Sequence, residues 1–193
     1  MNVKELVKAN RSYRGYDESR QVTREELTEM VDCARLTASS VNQQPLRYYL
    51  ACEKKDVERI QPLTHWARGL PELELPHKGM YPTAFIVICQ DTRVWESLAR
   101  FTRDVGIAAQ TILLSATEMG LGGCMIGNFS PAKISEAIGL PEYLVPLLVV
   151  AIGKPAETVV LKEVGMDEPV NYYRDENDVH YVPKRRLEDI LIN

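Results

Sequence analysis

Two periodicities of apolar residues along the chain predict a mixture of helices and strands. Residues 3–7 carry a short apolar face that predicts a first helix ending before residue 11. Thr23 and Glu26 form a capping-box pattern, and the apolar residues behind it recur at helical spacing. A second helix is therefore predicted from this capping box to about residue 38.

The second half of the chain has a more regular pattern. Two β-branched apolar runs, residues 83–89 and 146–152, predict buried strands. The apolar stretch 104–119 predicts a central helix, which the glycines of residues 120–123 end. A further helix is predicted from Pro131 to the glycine at position 139.

The remaining segments determine the predicted fold class. Residues 48–52 alternate as in a strand, whereas residues after 155 are polar and aperiodic until the apolar stretch 187–192. A long tail of this kind is typical of a segment that wraps a partner subunit. The order of elements predicts one α+β domain over residues 1–193.

Composition excludes several classes of protein. The chain has 193 residues, 45% of them hydrophobic, and a formal net charge of −4. This charge argues against a partner that is nucleic acid or an anionic membrane. No apolar run approaches the roughly 20 residues that span a bilayer, and the start of the chain lacks a secretory pattern. We therefore expect a cytoplasmic protein.

The residue types that usually carry covalent or metal chemistry are scattered. The four cysteines are far apart, so we expect small buried thiols rather than a metal site or a dithiol. The three histidines, His65, His77 and His180, have no neighbouring nucleophile or second ligand. Gly-rich residues 120–127 match neither a dinucleotide fingerprint nor a P-loop. No catalytic side chain is predicted, and any reaction is expected to belong to a cofactor.

Two compact cationic clusters stand out in this acidic chain. Arg11, Ser12 and Arg14 lie near its start, and residues 184–186 (Lys-Arg-Arg) lie near its end. Guanidinium groups spaced in this way bind phosphate or carbonyl oxygens well. Taken alone, Arg11 and Arg14 are more typical of a solvated surface, and residues 184–186 are consistent with a segment that simply precedes a terminal helix.

Several motifs in order give the chain a specific resemblance. They are Arg-Ser-Tyr-Arg at 11–14, Thr-Ala-Ser-Ser-Val-Asn-Gln-Gln-Pro at 37–45, the strand 81–88, the helix and glycines of 104–127, Val-Val-Ala-Ile-Gly-Lys-Pro at 149–155, and the basic tail. In this order they resemble the nitroreductase family of flavin mononucleotide (FMN) oxidoreductases along nearly the whole chain. The resemblance implies a homodimer with a central antiparallel sheet flanked by helices, in which C-terminal arms (residues 156–193) are exchanged.

The resemblance also implies which residues bind FMN. From one subunit, Arg11, Ser12 and Arg14 would hold the phosphate, ribityl chain and pyrimidine edge. Lys184 and Arg185 would close on the phosphate, and the amides of Gly127 and Asn128 would face flavin N5. The other subunit would contribute the following residues: Ser39, Ser40 and Asn42.

The implied chemistry is that of the flavin. Hydride would pass from NADH or NADPH through flavin N5 to a small planar acceptor, such as a nitroaromatic or a quinone, by a ping-pong mechanism. A cation beside N1 and O2, for which we select Arg14, would stabilise the anionic reduced flavin. The sequence does not choose between NADH and NADPH.

The chain departs from the family pattern before its Tyr81-Pro82 strand. Many relatives have an asparagine there that bonds the pyrimidine edge, but residues 75–78 contain none. Residues 61–80 are expected to form a variable cover over the substrate, where Trp66, His77 and Tyr81 could stack on a flat acceptor.

Three alternatives remain open on the sequence. The first is a specialised enzyme of the same fold, such as a reductive dehalogenase or a flavin-fragmenting enzyme. The second is a non-enzymatic flavin-binding or flavin-storage module, which NADH and NADPH would not reduce at a useful rate. The third is an α+β domain that binds no flavin.

Overall fold

The computed structural model describes residues 1–192 and shows helices and strands in mixed order. The helices are α1 (Val3–Ala9), α2 (Arg24–Arg35), α3 (Lys54–Ile60), α4 (Thr102–Glu118), α5 (Pro131–Ile138) and α6 (Leu187–Ile190). The strands are β1 (Tyr16–Asp17), β2 (Leu46–Ala51), β3 (Ala84–Asp91), β4 (Gly122–Ile126), β5 (Leu144–Pro155), β6 (Val159–Val164), β7 (Tyr173–Arg174) and β8 (His180–Arg185).

The main sheet has five strands, and every pairing in it is antiparallel. The strands β1, β5, β3 and β2 lie side by side in this order, and β4 also pairs with β5. All eight residues of β3 are buried, because β3 lies between β2 and β5 with helices over both faces. This position explains why β3 reads as a continuous apolar run.

Helices cover both faces of the sheet. Alternate β3 residues point to opposite faces, so Ile86 and Ile88 pack in one core cluster with residues of α2 and α4. Phe85 and Val87 pack in the other cluster with Ile60 of α3 and residues of α5. The predicted α+β class, a central antiparallel sheet flanked by helices, is confirmed.

Local sequence signals placed several helix ends correctly. The hydroxyl of Thr23 accepts from the amide of Glu26 at 3.2 Å, and the Glu26 carboxylate accepts from the Thr23 amide at 2.9 Å. Gly139 ends α5 with a φ of 66°, a conformation that glycine adopts without strain. The predicted end of α2 is wrong, because the helix stops at Arg35 and not near residue 38.

Two elements escaped the sequence patterns. The helix α3 has only seven residues, most of them charged, so its sequence shows no clear apolar periodicity. The strand β4 is not recognisable from its sequence, because the glycines of residues 120–123 have the pattern of a helix end. A Cβ on Gly123 would lie 2.1 Å from the carbonyl oxygen of Ala151, so the close approach of β4 to β5 requires glycine.

The C-terminal arm is also more ordered than its sequence suggests. It contains a three-stranded sheet in which β8 pairs parallel with β6 and antiparallel with β7. The expectation of an aperiodic tail is therefore wrong, whereas the exchange of arms between subunits stays a prediction. Over residues 1–192, none of the helices has the length and apolarity to cross a membrane.

Candidate functional site

A cavity of about 450 Å³ lies where the loop after α1 meets β4 and β8. Three cationic residues line it, Arg11, Arg14 and Lys184, and no aspartate or glutamate is among its lining residues. Ser12 lines it as well. The structure thus brings Lys184 of the C-terminal cluster to the same cavity as Arg11 and Arg14, where the excess of positive charge favours an anion.

The loop that carries Arg11 and Arg14 is held by β4. The amide of Tyr13 donates to the carbonyl of Gly123 at 3.0 Å, and Ser12 forms a bridge with the same glycine. Gly122 leaves room for the Tyr13 ring, which would lie 2.6 Å from an added Cβ. These contacts fix the backbone between the two arginines.

The C-terminal arm holds the other end of this loop. The carboxylate of Glu157 accepts from the backbone amide of Arg14 and forms an ion pair with Arg174. Both side chains of the pair are buried, at 2% and 4% exposure. Burial raises the pKa of Glu157 despite these donors, so the carboxylate is costly to keep charged without them.

Sequence reasoning missed two aromatic residues of the arm. Tyr172 and His180 line the cavity, and the Arg14 guanidinium carbon lies 5.0 Å from the centre of the Tyr172 ring. The alternation of His180, Val182 and Lys184, all of which line the cavity, was the available signal. Three alternating residues do not stand out in a segment whose sequence is otherwise aperiodic.

The donors and the apolar lining of the cavity fit FMN. The Nε atoms of Arg11 and Arg14 are buried, with no hydrogen-bond partner in the part of the chain that the structure describes. Burial also lowers the pKa of Arg11. Apolar side chains of Leu113 and Met125 line the same cavity and could contact a flat ring. A ligand that combines a phosphate with an aromatic system matches this lining.

Lys184 and Arg185 do not act together. They are neighbours in β8, so their side chains point to opposite faces. Lys184 lines the cavity, whereas the Arg185 guanidinium donates to the backbone carbonyls of Gly165 and Glu168. The predicted phosphate contact of Arg185 is therefore not supported by its position.

Ser39, Ser40 and Asn42 lie away from the cavity in their own chain. The Ser39 hydroxyl donates to Asp104 Oδ2 at 2.6 Å, and the Ser40 amide donates to the same oxygen at 3.0 Å. None of the three lines the cationic cavity, so their predicted flavin contacts require a second copy of the chain.

The loop that contains these residues is strained. Val41 has a φ of 46° and Asn42 a φ of 55°. This left-handed conformation is unfavourable for a β-branched residue and is common at functional sites. Val41 is also 67% exposed, so the strained loop presents an apolar side chain at the surface.

Gly127 and Asn128 directly follow β4. Met125 lines the cavity, and Gly127 is exposed two residues further along. A Cβ at Gly127 would meet nothing within 4 Å, so its backbone is open to a ligand. The Asn128 carbonyl accepts from the amide of His65 at 3.0 Å, which ties this segment to the predicted cover.

The predicted cover borders a second cavity of about 1020 Å³. Trp66 and Tyr81 line it, but none of its lining residues lines the cationic cavity. The Trp66 indole donates to Thr64 Oγ1 at 2.9 Å, and His77 lies 3.3 Å from Asp178 of the arm. Stacking of these residues on a substrate stays a prediction.

The cysteines partly match their prediction. Cys89 and Cys124 are buried, and Cys33 and Cys52 are partly exposed. Burial raises the pKa of the Cys89 thiol to about 12 and that of Cys124 to about 11, which makes both unreactive near neutral pH. Residues 1–192 contain no cluster of three or more potential metal ligands.

Comparisons with known proteins find similar sequences along much of the chain. The model of the Nitroreductase family matches residues 7–68 and 96–154. The chain is 28% identical to a Cr(VI) reductase of Pseudomonas sp. strain G-1, with 98% of this chain and 79% of that protein covered. It is 27% identical to an FMN reductase [NAD(P)H] of Bacillus subtilis, with 87% and 73% covered.

A solved structure supports the fold. A chain from Exiguobacterium sibiricum 255-15, crystallised in complex with FMN, superposes with a TM-score of 0.68 at 21% identity. The match covers 81% of this chain and 90% of that one. At this identity the similarity establishes the architecture alone.

Proposed function

Because this chain belongs to the nitroreductase family, we propose that it is an FMN-dependent oxidoreductase that uses NADH or NADPH. The observation that carries the proposal is the cationic cavity, in which Arg11, Arg14 and Lys184 converge without a lining carboxylate. An FMN phosphate has close to two negative charges and needs several charged donors. The names of the relatives, an FMN reductase and a Cr(VI) reductase, support the same class of activity.

Four residues that line the cavity, and two that follow β4, have proposed roles. Arg11, Ser12 and Lys184 bind the phosphate and ribityl chain. Arg14 would lie at the pyrimidine edge, where its charge would stabilise the reduced, anionic form of the cofactor. The backbone of Gly127 and Asn128 would face N5, since glycine allows close contact.

FMN held by these residues would supply the hydride-transfer chemistry, from the nicotinamide and then to the acceptor in a separate half-reaction. The residues of this chain bind and orient the cofactor and the two substrates, so no side-chain nucleophile is needed. Nitroaromatics and quinones are the proposed acceptors, because they are flat and electron-poor. We place the reaction in the cytoplasm and the acceptor beneath residues 61–80.

Binding of FMN and riboflavin tests the phosphate site. We expect Arg11→Ala and Lys184→Ala to weaken FMN binding by about 10- to 100-fold each, because each removes a charge-assisted contact. The affinity for riboflavin, which lacks the phosphate, should change little in these variants. Arg35→Ala is the control, since Arg35 is an exposed arginine paired with Asp32. Equal losses for FMN and riboflavin would contradict the assignment.

Anaerobic stopped-flow reduction tests the activity. Bound FMN should bleach when NADH or NADPH is added and should recover its absorbance when a quinone or nitroaromatic follows. A chain that binds FMN but is not reduced by either nucleotide would be a flavin-binding module and not an oxidoreductase.

We also propose that the active unit is a homodimer with exchanged arms, whose sites combine residues of both subunits. Mixed dimers of an Arg14→Ala subunit and an Asn42→Ala subunit test this. If the sites are shared, one site of the mixed dimer carries both defects and the other is intact. Half of the FMN should then bind with wild-type affinity. Two impaired sites, one with the Arg14→Ala defect and the other with the Asn42→Ala defect, would refute the shared site.

A further inference from the structure

The Arg14 guanidinium lies between two aromatic side chains of the C-terminal arm. Its carbon is 5.0 Å from the centre of the Tyr172 ring, and its Nη1 is 3.4 Å from Nδ1 of His180. The two rings are themselves in edge contact, with centres 5.4 Å apart. His180 is 1% exposed, so its ring has little freedom to turn away.

The contact is a hydrogen bond in one state of the imidazole. A guanidinium can only donate, so Nδ1 of His180 accepts when the ring is neutral and has its proton on Nε2. The charged groups that face His180 are Arg14 from the cofactor loop (residues 10–15, between α1 and β1), Arg174 from β7 and Asp178 from the turn before β8. Burial, followed by the two arginines, lowers the pKa of His180 to about 4, and Asp178 opposes this shift. The acceptor is therefore available at neutral pH.

We propose that His180 is a positioning residue, which holds the Arg14 guanidinium in the orientation that binds the pyrimidine edge of the flavin. An arginine side chain loses considerable rotamer freedom when it is fixed on a ligand. A buried acceptor on the rigid strand β8 fixes it before the ligand arrives. This inference rests on the proposed FMN function and extends it to a residue of the arm.

Three substitutions separate the hydrogen bond from the shape of the side chain. His180→Asn places an amide oxygen near the position of Nδ1, whereas His180→Gln places its amide nearer that of Nε2. His180→Phe keeps a ring without an acceptor. The dissociation constants of FMN and riboflavin, measured by quenching of flavin fluorescence, are expected to rise about 5- to 10-fold in the Phe and Gln variants. The Asn variant should stay within about twofold of the wild type.

A double-mutant cycle tests whether His180 acts through Arg14. In an Arg14→Ala background, His180→Phe is expected to change FMN affinity by less than about twofold. The proposal would be overturned if His180→Phe reduced FMN affinity in this background as much as in the wild type. It would also be overturned if the Asn variant bound FMN as weakly as the Phe variant. If the wild-type protein binds no FMN, the proposed function itself fails. If it binds FMN and the three variants match it, only the role of His180 fails.

Discussion

The buried ion pair between Glu157 and Arg174 should control how firmly the arm is attached to the cofactor loop. The Arg174→Met substitution would leave a carboxylate at 2% exposure with the Arg14 amide as its remaining donor within residues 1–192. Removing one partner of a buried pair typically costs about 3–5 kcal/mol, because the other charge stays desolvated. We expect a loss of stability in this range.

The double substitution Glu157→Gln with Arg174→Met should be much less harmful. Glutamine keeps an oxygen that can accept from the Arg14 amide, and both charges of the buried pair are removed. Since burial raises the pKa of Glu157 even beside Arg174, desolvation outweighs the attraction between the two. We therefore expect the double variant to lie within about 1.5 kcal/mol of the wild type.

Urea unfolding of the apoprotein, followed by circular dichroism, measures both effects. The control is Lys54→Met, which breaks an exposed pair with Glu58 whose side chains are 88% and 63% exposed. Its expected cost is below about 0.5 kcal/mol. The reasoning would be refuted if Arg174→Met cost as little as the control, or if the double variant lost the sum of the two single losses.

Further substitutions test other parts of the structure. The folded pKa of His180 is about 4, below its ordinary 6.5. The unfolded chain therefore binds the proton first, and apoprotein stability should fall as the pH drops from about 6.5 to 4. His180→Asn should remove up to about 3 kcal/mol of that fall in stability. If urea titrations gave the wild type and this variant the same dependence of stability on pH, the lowered pKa of His180 would be contradicted. Gly123→Ala should cost more than about 3 kcal/mol in thermal unfolding, because its Cβ would lie 2.1 Å from the Ala151 carbonyl oxygen. A Cβ at Gly127 would meet no atom within 4 Å, so Gly127→Ala should leave the free energy of unfolding within about 0.5 kcal/mol of the wild type. The same substitution should weaken FMN binding, and unchanged binding would argue against contact of Gly127 with the flavin. Val41→Asn should raise the apoprotein's free energy of unfolding by about 0.5–1 kcal/mol, because asparagine tolerates a φ of 46° better. A free energy of unfolding below that of the wild type would exclude strain at this position.

Local patterns accounted for most of the secondary structure and for much of the candidate site. The capping box at Thr23, the stop at Gly139 and the apolar runs of β3 and β5 act over a few residues, so they can be recognised without a fold. The order of the motifs, through the family resemblance, selected Arg11, Arg14, Lys184 and Arg185, and the first three of these meet in one cavity.

Other features depended on contacts between distant segments. The sequence by itself determined the α+β class, the main buried strands and the cationic residues, because these follow from local periodicity and chemistry. Only the tertiary structure decided that Arg185 turns away from Lys184 and that Glu157 holds the Arg14 loop. It also placed His180 beside Arg14, 166 residues away along the chain. Burial and charge at such positions depend on which segments pack together, and no short stretch of sequence encodes that.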